Sequence, residues 1–534
     1  MTYTSFAFLV FLLFVFVIYY IVPKKFQWVL LLCASYAFYL FSGVKQVFFI
    51  LATTVVSYSA GLIMQKFRNA YRAELADVPK EEKEQRRLLK KAVGKKIKKV
   101  QVATILVDLG ILAFVKYTNF AISQVNSLFS LFSWDASVPL LNMIVPLGIS
   151  FYTFASMGYV IDIGRGKYDA ERNFGKFALF VSFFPTIVQG PISRFDDVGV
   201  QLGKEHKFDY NNLITGAELM LWGFFKKLVI AENIMPVVNT VFSEDYALYN
   251  GAQYVFAMLC YALQIYCDFS GGIDIARGAA KVLGIDLPQN FERPYFSTSV
   301  SDYWKRWHIT LGGWMRDYVF YSVMLSKPVQ KMSKWGRKHI SVHAGKVIPS
   351  VVTSFTVFLL IGIWHGASWQ YVAFGLYNAT VVAGGVALDP LFKKAIAKLK
   401  INTEAFSWKV FQIIRTFMIL SISKILVKAP GLGASVHIIK CMFTQVDFDY
   451  AFGLNGNLFK LGVDRRHMLL ILFCLIILVT VSVLQENGVK VLESLNKQNF
   501  IFRWAILLAL LILILVCGVY GPGYNASDFI YQAY

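Results

Sequence analysis

Two histidines occupy positions in this sequence that packing alone explains poorly. His308 lies within the aromatic segment 288–317, and His365 follows the apolar run 351–363, between a tryptophan and a glycine. An ionisable side chain at such a depth marks a functional site by default, although a histidine can also simply hydrogen-bond a neighbouring helix. Neutral imidazole can take the proton of a hydroxyl group that attacks a carbonyl carbon. The two residues are therefore candidates for a functional site in which an imidazole accepts a proton.

The two histidines are expected to have different roles. His365 is the predicted general base, because apolar and indole surroundings disfavour imidazolium and leave a ring nitrogen free to accept a proton. His308 is predicted to orient the substrate or to polarise the carbonyl group. The residues expected to line the substrate are Trp304, Trp307, Trp364, Asn378, Asp268 and Arg316. No Gly-x-Ser-x-Gly element occurs, so a serine nucleophile on such a turn is not indicated.

The segment around His308 has the pattern of an amphipathic helix. In helical register one face collects Tyr303, Trp307, Leu311, Trp314 and Tyr318. His308 lies at the edge of that face. We therefore expect an interfacial or re-entrant amphipathic segment here.

Composition determines the compartment in which these residues act. The chain has 534 residues, of which 57% are hydrophobic and only 16% charged, and its mean hydropathy is +0.54. A soluble globular protein carries about a quarter charged residues, so this chain is a polytopic membrane protein. The formal net charge of +21 does not indicate nucleic-acid binding, because the basic residues lie in short loops between apolar spans. There they set orientation and contact anionic lipid headgroups.

Several blocks of the sequence resemble the signature segments of the membrane-bound O-acyltransferase family. The three most specific are DFSGGIDIARG at 268–278, the run from NFERPYF to WMRDY at 290–318, and WHGASW at 364–369. Further similar segments lie at 146–154, 183–195 and 223–234, so the resemblance covers nearly the whole chain. Within the family the chain is similar to the bacterial alginate-O-acetylation branch, with the teichoic-acid D-alanyl-transfer branch as its neighbour. The resemblance assigns the family's two histidine-containing blocks to His365 and His308.

The resemblance also implies a fold and a reaction. The expected fold is all-α, with ten to twelve transmembrane helices and additional re-entrant and interfacial helices around a central tunnel. The expected reaction moves an acyl group, with acetyl favoured, from a cytoplasmic thioester to a cell-surface polysaccharide or cell-wall polymer outside the membrane. D-alanyl transfer to teichoic acid is the alternative of the same class, and a secondary transporter or lipid flippase is the alternative of another class.

The expected partners follow from that reaction. The donor is acetyl-CoA or an acyl-carrier protein on the cytoplasmic side, and no cofactor is expected to remain bound. An extracytoplasmic acyltransferase or esterase-like protein, or the polymer itself, is expected to receive the acyl group. Six scattered cysteines with no Cys-x-x-Cys pair indicate neither a disulfide framework nor a zinc site.

The charge pattern predicts a membrane topology. Residues 5–22 form the first predicted span, and 66–101 form a basic loop in which 66–99 hold thirteen Lys/Arg and five Asp/Glu. Such a loop is cytoplasmic. Three predicted spans precede it, so the N-terminus is expected outside, and the 520–534 tail is expected there too. We expect one integral membrane domain over 1–534.

Interrupted apolar segments predict backbone that is shielded from lipid. Residues 177–192 contain Pro185, Gly190 and Pro191, so a buried re-entrant hairpin is expected there. A second helix is expected to break at Gly271 and Gly272.

Charged residues close to these segments are expected to be structural. Lys226 and Lys227 interrupt an apolar run and are expected to extend towards the cytoplasmic rim, with binding of an anionic donor group as the alternative. Asp274 and Arg277 are one helical turn apart and are expected to form an ion pair, with substrate contact as the alternative.

The C-terminal tail contains two further candidates. Tyr531 and Tyr534 lie in an aromatic sequence that follows the last predicted span. One reading is an interfacial aromatic anchor. The other is an acyl relay, because an aryl ester keeps the acyl group activated for a second transfer.

Overall fold

The regular secondary structure of the described residues is helical, apart from one isolated antiparallel bridge between Phe291 and Trp307. A computed structural model describes residues 1–243, 245–449 and 461–521. A helix satisfies its own backbone hydrogen bonds, which is what long apolar runs require where water is absent. The expectation of an all-α polytopic membrane protein is confirmed.

The chain folds as two compact units. The first comprises Met1–Ala217 and Ala276–Pro288, and the second comprises Glu218–Ile275 and Gln289–Tyr534. Both histidines belong to the second unit.

The helices are numbered in chain order. Up to residue 282 they are α1 (Phe6–Ile21), α2 (Gln27–Leu40), α3 (Val44–Ala76), α4 (Lys83–Leu131), α5 (Ile149–Arg165), α6 (Phe174–Ser182), α7 (Phe184–Ile187), α8 (Val200–Leu202), α9 (Tyr210–Phe224), α10 (Glu232–Val241) and α11 (Gly251–Val282). After it they are α12 (Val300–Arg306), α13 (Ile309–Trp314), α14 (Tyr321–Met324), α15 (Lys327–His339), α16 (Val342–His365), α17 (Trp369–Ala387), α18 (Asp389–Lys398), α19 (Phe406–Lys428), α20 (Leu432–Thr444), α21 (Arg465–Glu486), α22 (Val491–Asn496) and α23 (Phe500–Cys517).

Shorter turns connect several of these helices. Three are 3₁₀ turns, at Lys24–Phe26, Tyr246–Leu248 and Pro294–Phe296. Three are π-helical, at Phe195–Gly199, Phe225–Ala231 and Met315–Phe320.

By length and composition, six helices among the described residues could each cross a membrane, namely α3, α4, α16, α19, α21 and α23. The bent pair α17 and α18 would make a seventh if it forms one span. Other apolar runs predicted as spans form shorter helices, such as the 16-residue α1. The apolar segments are therefore realised partly as full-length spans and partly as short or broken helices.

The basic segment 66–101 is mostly helical, where the sequence suggested a loop. Helix α3 continues to Ala76 and α4 begins at Lys83, so only six residues connect them. Nearly all the basic side chains of this segment are exposed along the two helix ends. The expectation of a loop was wrong because these helices continue far beyond their apolar portions.

Residues 177–192 are buried inside the first unit, as expected. Helix α6 ends at Ser182, α7 covers only four residues, and the side chains from Phe177 to Ser193 are buried without exception. Tyr3 donates a hydrogen bond of 2.9 Å to the carbonyl of Phe184 within the interruption. Protein atoms therefore satisfy backbone groups that lipid could not.

The second unit positions α16 against α17 through two glycines. A Cβ atom at Gly375 would lie 2.5 Å from the carbonyl oxygen of Phe358, and one at Gly362 would collide with the carbonyl of Tyr371. The two helices can approach this closely only because both positions lack a side chain. This approach brings the first turns of α17 beside the end of α16, where His365 lies.

Helix α11 runs unbroken through Gly271 and Gly272, so the expectation of a break there was wrong. Two glycines cost helix propensity, but tertiary packing overrides that cost here. Carboxylates of this helix meet the lysines of the neighbouring π-helix. Asp274 accepts a hydrogen bond of 2.7 Å from Lys226, and Asp268 lies 2.5 Å from the Nζ atom of Lys227.

Lys226 and Lys227 are therefore buried. The prediction that they extend towards the cytoplasmic rim was wrong. Lys226 also donates to Ser270 at 2.9 Å, and Lys227 lies 2.5 Å from Glu232. Their side chains are 4% and 2% exposed. The predicted pairing of Asp274 with Arg277 left Lys226 out, because its approach depends on packing between helices.

Replacing Lys227 with methionine should destabilise the protein strongly. The change leaves the carboxylates of Asp268 and Glu232 buried without the cation between them, which costs about 3–5 kcal/mol. The check is thermal unfolding of the detergent-purified protein. Lys281→Met removes a lysine whose partner Asp286 is 70% exposed, so its cost should stay below about 1 kcal/mol. Equal unfolding temperatures for the two variants would show that the buried pairs contribute little.

Candidate active site

The helical structure is interrupted at His308, within the segment predicted to be amphipathic. Ser299 caps the start of helix α12 by accepting a hydrogen bond of 3.1 Å from the backbone N–H of Asp302, and the helix ends at Arg306. His308 then adopts a left-handed conformation with φ 49° and ψ 54°, before α13 begins. A non-glycine residue holds this conformation only when its surroundings impose it.

The surroundings of this turn are supplied by Asn290. Its backbone carbonyl accepts a hydrogen bond of 3.0 Å from the N–H of Ile309. Its side-chain oxygen accepts from the Thr310 backbone N–H at 3.0 Å and from the Thr310 hydroxyl at 2.9 Å. The same oxygen lies 3.3 Å from Nδ1 of His308. One buried amide therefore fixes both the helix interruption and the imidazole.

A second set of contacts, made by Glu486, fixes the part of the chain that precedes His308. Glu486, the last residue of α21, accepts a hydrogen bond of 2.7 Å from Arg293 and two bonds of 3.0 and 3.1 Å from Arg306. Arg306 also contacts Asp302 one turn earlier, at 3.2 Å. Arg293 is itself left-handed, with φ 47°. The carboxylate of Glu486 therefore joins two points of the chain before His308 to one helix.

The His308 ring is enclosed by aromatic side chains. Its residue is 3% exposed, and the ring packs edge-on against Phe269 at a centroid distance of 4.9 Å. Trp364 lies 6.0 Å away. Burial lowers the pKa of the His308 imidazole well below its usual range, and the nearby His365 lowers it further. The ring is therefore neutral at neutral pH.

His365 is the last residue of α16 and lies in a similar aromatic environment. The indole of Trp364 lies 5.0 Å from its ring, and Tyr371 and Phe374 of α17 lie at 6.3 and 5.9 Å. The residue is 9% exposed. Trp364 thus contacts both imidazoles, which brings the two predicted catalytic residues into one site.

His365 borders a cavity within the second unit. The volume of the cavity is about 50 Å³. This is enough for a few waters or a small acyl group. The residues around it that bear on the chemistry are Trp304, Trp307, His365, Tyr371, Ser423 and Lys424. The Nε1 atom of Trp304 is buried without a hydrogen-bond partner among the described residues.

The remaining sequence candidates lie elsewhere. Asn378 is fully buried and donates a hydrogen bond of 2.9 Å to the carbonyl of Phe374. Asp268 pairs with Lys227 at 2.5 Å. Arg316 is 63% exposed and contacts its neighbour Asp317. None of these three is among the side chains that line the cavity, and Tyr531 and Tyr534 lie outside the described residues.

Sequence reasoning missed Lys424. It interrupts the apolar run of α19. In the structure it lines the same cavity as His365. It also completes a Ser-x-x-Lys sequence with Ser421, whose side chain is fully buried and does not line the cavity. A lysine in the middle of an apolar span is the signal that could have found it.

The chain is similar to several known proteins. Residues 169–427 match the family model described as MBOAT, membrane-bound O-acyltransferase family. The chain is 30% identical to the "Probable alginate O-acetylase AlgI" of Pseudomonas syringae pv. tomato, over 81% of this chain and 73% of that relative.

Two further relatives carry other names. The peptidoglycan O-acetyltransferase of Helicobacter pylori is 26% identical over 66% of this chain and 64% of its own length. The teichoic acid D-alanyltransferase of Bacillus subtilis is 31% identical over 45% of this chain and 59% of its own length. Similarity to proteins named as O-acetylating enzymes therefore extends over more of the chain than similarity to the D-alanyltransferase.

Asn290→Ala should impair catalysis by releasing His308. The variant loses the acceptor for three hydrogen-bonding groups, so we expect a drop in acyl-transfer rate of about 10- to 100-fold, comparable to the loss of a residue that orients a catalytic group. The measurement is initial rate at saturating donor. The neighbouring Gln289, whose exposed amide donates to the carbonyl of Phe291 at 2.6 Å, provides the matched control as Gln289→Ala. Equal losses in both variants would contradict a specific role for Asn290.

Proposed function

The chain belongs to the membrane-bound O-acyltransferase family and is a multi-pass membrane O-acyltransferase, and we propose that it transfers an acetyl group from a cytoplasmic thioester to a cell-surface polysaccharide or cell-wall polymer outside the membrane. The observation that carries this proposal is the meeting of His308 and His365 at one aromatic site, with His365 bordering a cavity.

In the proposed reaction His365 is the general base. Its ring takes the proton of the acceptor hydroxyl as the hydroxyl oxygen attacks the thioester carbonyl, and it returns that proton to the departing thiolate. Trp364, Tyr371 and Phe374 surround this ring and shield it from water, which limits hydrolysis of the thioester. His308 acts beside it as a group that orients the substrate, held by Asn290.

The direction of transfer is proposed from charge. The basic ends of α3 and α4 lie on the cytoplasmic side by the rule that positive charge stays inside, which leaves the N-terminus and the tail 520–534 outside. The donor, acetyl-CoA or an acyl-carrier protein, would then approach from the side of these basic helices. The acceptor polymer or an extracytoplasmic acyltransferase or esterase-like partner would meet the opposite side.

Transfer of D-alanine to teichoic acid is the alternative, and the relative named as a D-alanyltransferase favours it. The two donors can be compared directly. Purified protein in liposomes, supplied with acetyl-CoA, acetyl-carrier protein or D-alanyl-carrier protein, should transfer acetyl in preference to D-alanyl to a polysaccharide acceptor, measured by ester release and mass spectrometry. A preference for the D-alanyl donor would reverse the assignment.

His365→Ala should abolish transfer without unfolding the protein. Loss of the base should lower the rate by at least about 10²- to 10⁴-fold, whereas His308→Ala should be less severe because its ring only orients the substrate. The measurement is acyl transfer by monodisperse protein of unchanged thermal stability. His343→Ala changes an exposed histidine at the start of the same helix α16 and should leave the rate unchanged. A folded His365→Ala variant that transfers acyl groups at nearly the wild-type rate would exclude His365 as the base.

The tail provides a separate prediction. A phenol is a better leaving group than an alkyl alcohol, so an aryl ester on Tyr531 could pass the acyl group on. If Tyr531 carries the acyl group in this way, Tyr531→Phe should stop modification of the acceptor, because phenylalanine has no hydroxyl to acylate, while hydrolysis of the donor continues. Tyr534→Phe is the neighbouring control and should have a smaller effect. Mass spectrometry of the C-terminal peptide after incubation with donor should detect the adduct. Full activity of Tyr531→Phe without any adduct would leave the tail as a membrane-interface anchor.

A further inference from the structure

Lys424 is a buried lysine in the wall of the cavity that His365 borders. It is 6% exposed and lies near the end of α19, in a helix long and apolar enough to cross a membrane. Within the described residues no carboxylate forms an ion pair with it, whereas the buried Lys226 and Lys227 have carboxylates at 2.7 and 2.5 Å. A buried charge is costly unless something compensates for it. This lysine therefore differs in kind from the other two.

Aromatic groups hold the ammonium in place. Its Nζ atom donates a hydrogen bond of 2.8 Å to the hydroxyl of Tyr295, and Tyr295 in turn donates to the carbonyl of Ala262. The same Nζ lies over the rings of Tyr295 and Trp307, at 4.6 and 5.4 Å from their centroids. Cation–π contacts of this kind support an ammonium ion without neutralising it.

The ammonium retains donor capacity towards the cavity. An ammonium group has three N–H donors, and the described residues accept only the one that Tyr295 receives. Lys424 and His365 both line the cavity, so a carbonyl group bound there is surrounded by both side chains. A positive donor that lines the same cavity as a base can stabilise negative charge as it develops.

We propose that Lys424 is a catalytic residue that stabilises the oxyanion formed on the thioester carbonyl during acyl transfer. The inference rests on the proposed function. The acceptor oxygen bonds to the carbonyl carbon, its proton passes to His365, and the carbonyl electron pair becomes the oxyanion held by Lys424. When the carbonyl bond re-forms, the carbon–sulfur bond breaks and the thiolate takes the proton from His365. Lys424 keeps all its protons throughout.

Lys424→Met tests this role because methionine fills a similar volume without charge. Removing one oxyanion-stabilising donor lowers kcat by about 10²- to 10³-fold, and KM for donor and acceptor should change little because the interaction forms only in the transition state. Lys424→Arg keeps the charge and should recover part of the loss. Lys428→Met is the matched control, since Lys428 lies one turn later, binds Asn239 at 2.9 Å and does not line the cavity.

The assay is acetyl transfer from acetyl-CoA or acetyl-carrier protein by liposome-reconstituted protein, with thermal unfolding measured for each variant. A folded Lys424→Met variant with near wild-type kcat overturns the inference. So does a raised KM for the acceptor with kcat unchanged, which would indicate a cation that binds a ground-state anion. Wild-type protein that transfers no acyl group from any of these thioesters overturns the proposed function and this inference together. Active wild type with an unaffected Lys424→Met variant overturns this inference alone.

Discussion

The geometry of the site depends on the hydrogen bonds that Asn290 makes across the start of α13. Its backbone carbonyl and its side-chain oxygen accept from Ile309 and Thr310 at 2.9 to 3.0 Å. Without them the chain from α12 would continue as a helix, and His308 would lie on a helix surface. The left-handed conformation at His308 costs about 1–3 kcal/mol, and these bonds offset it. The site is therefore built on a backbone interruption that buried polar contacts maintain.

Buried charge follows two different arrangements in the second unit. Lys226 and Lys227 meet carboxylates of the neighbouring helix α11 and hold that helix against the π-helix Phe225–Ala231. Among the described residues, Lys424 meets the phenol of Tyr295 and the faces of two aromatic rings, at the edge of the cavity. The first arrangement neutralises charge and stabilises packing. The second leaves charge available, which is useful only where another negative group arrives.

Aromatic side chains connect these parts. Tyr295 accepts the hydrogen bond of Lys424 and lies 6.2 Å from the ring of Trp307. Trp307 also packs against Phe291 at 5.0 Å, directly after Asn290. The segment that carries His308 thus also shapes the place where Lys424 lies. Rigid indole and phenol rings suit this purpose, because they exclude water while offering few rotamers to immobilise.

The amino-acid sequence by itself determined the membrane compartment, the helical class and the two histidines, because these follow from composition and from short local motifs. That both histidines contact Trp364 depends on the tertiary structure. The assignment of Asp268 and Arg316 to the substrate could not be judged from the sequence, since one carboxylate is taken by Lys227 and the guanidinium of Arg316 is exposed.

Only the tertiary structure decided where the helices break and which charges are compensated. The partners involved are far apart in sequence: Arg306 and Glu486 are separated by 180 residues, and Tyr295 and Lys424 by 129. Local propensity predicts a helix through His308 and a break at Gly271, and tertiary contacts reversed both. In an interior with little water, a polar group adopts the conformation in which a partner reaches it, and the sequence does not state which partner that is.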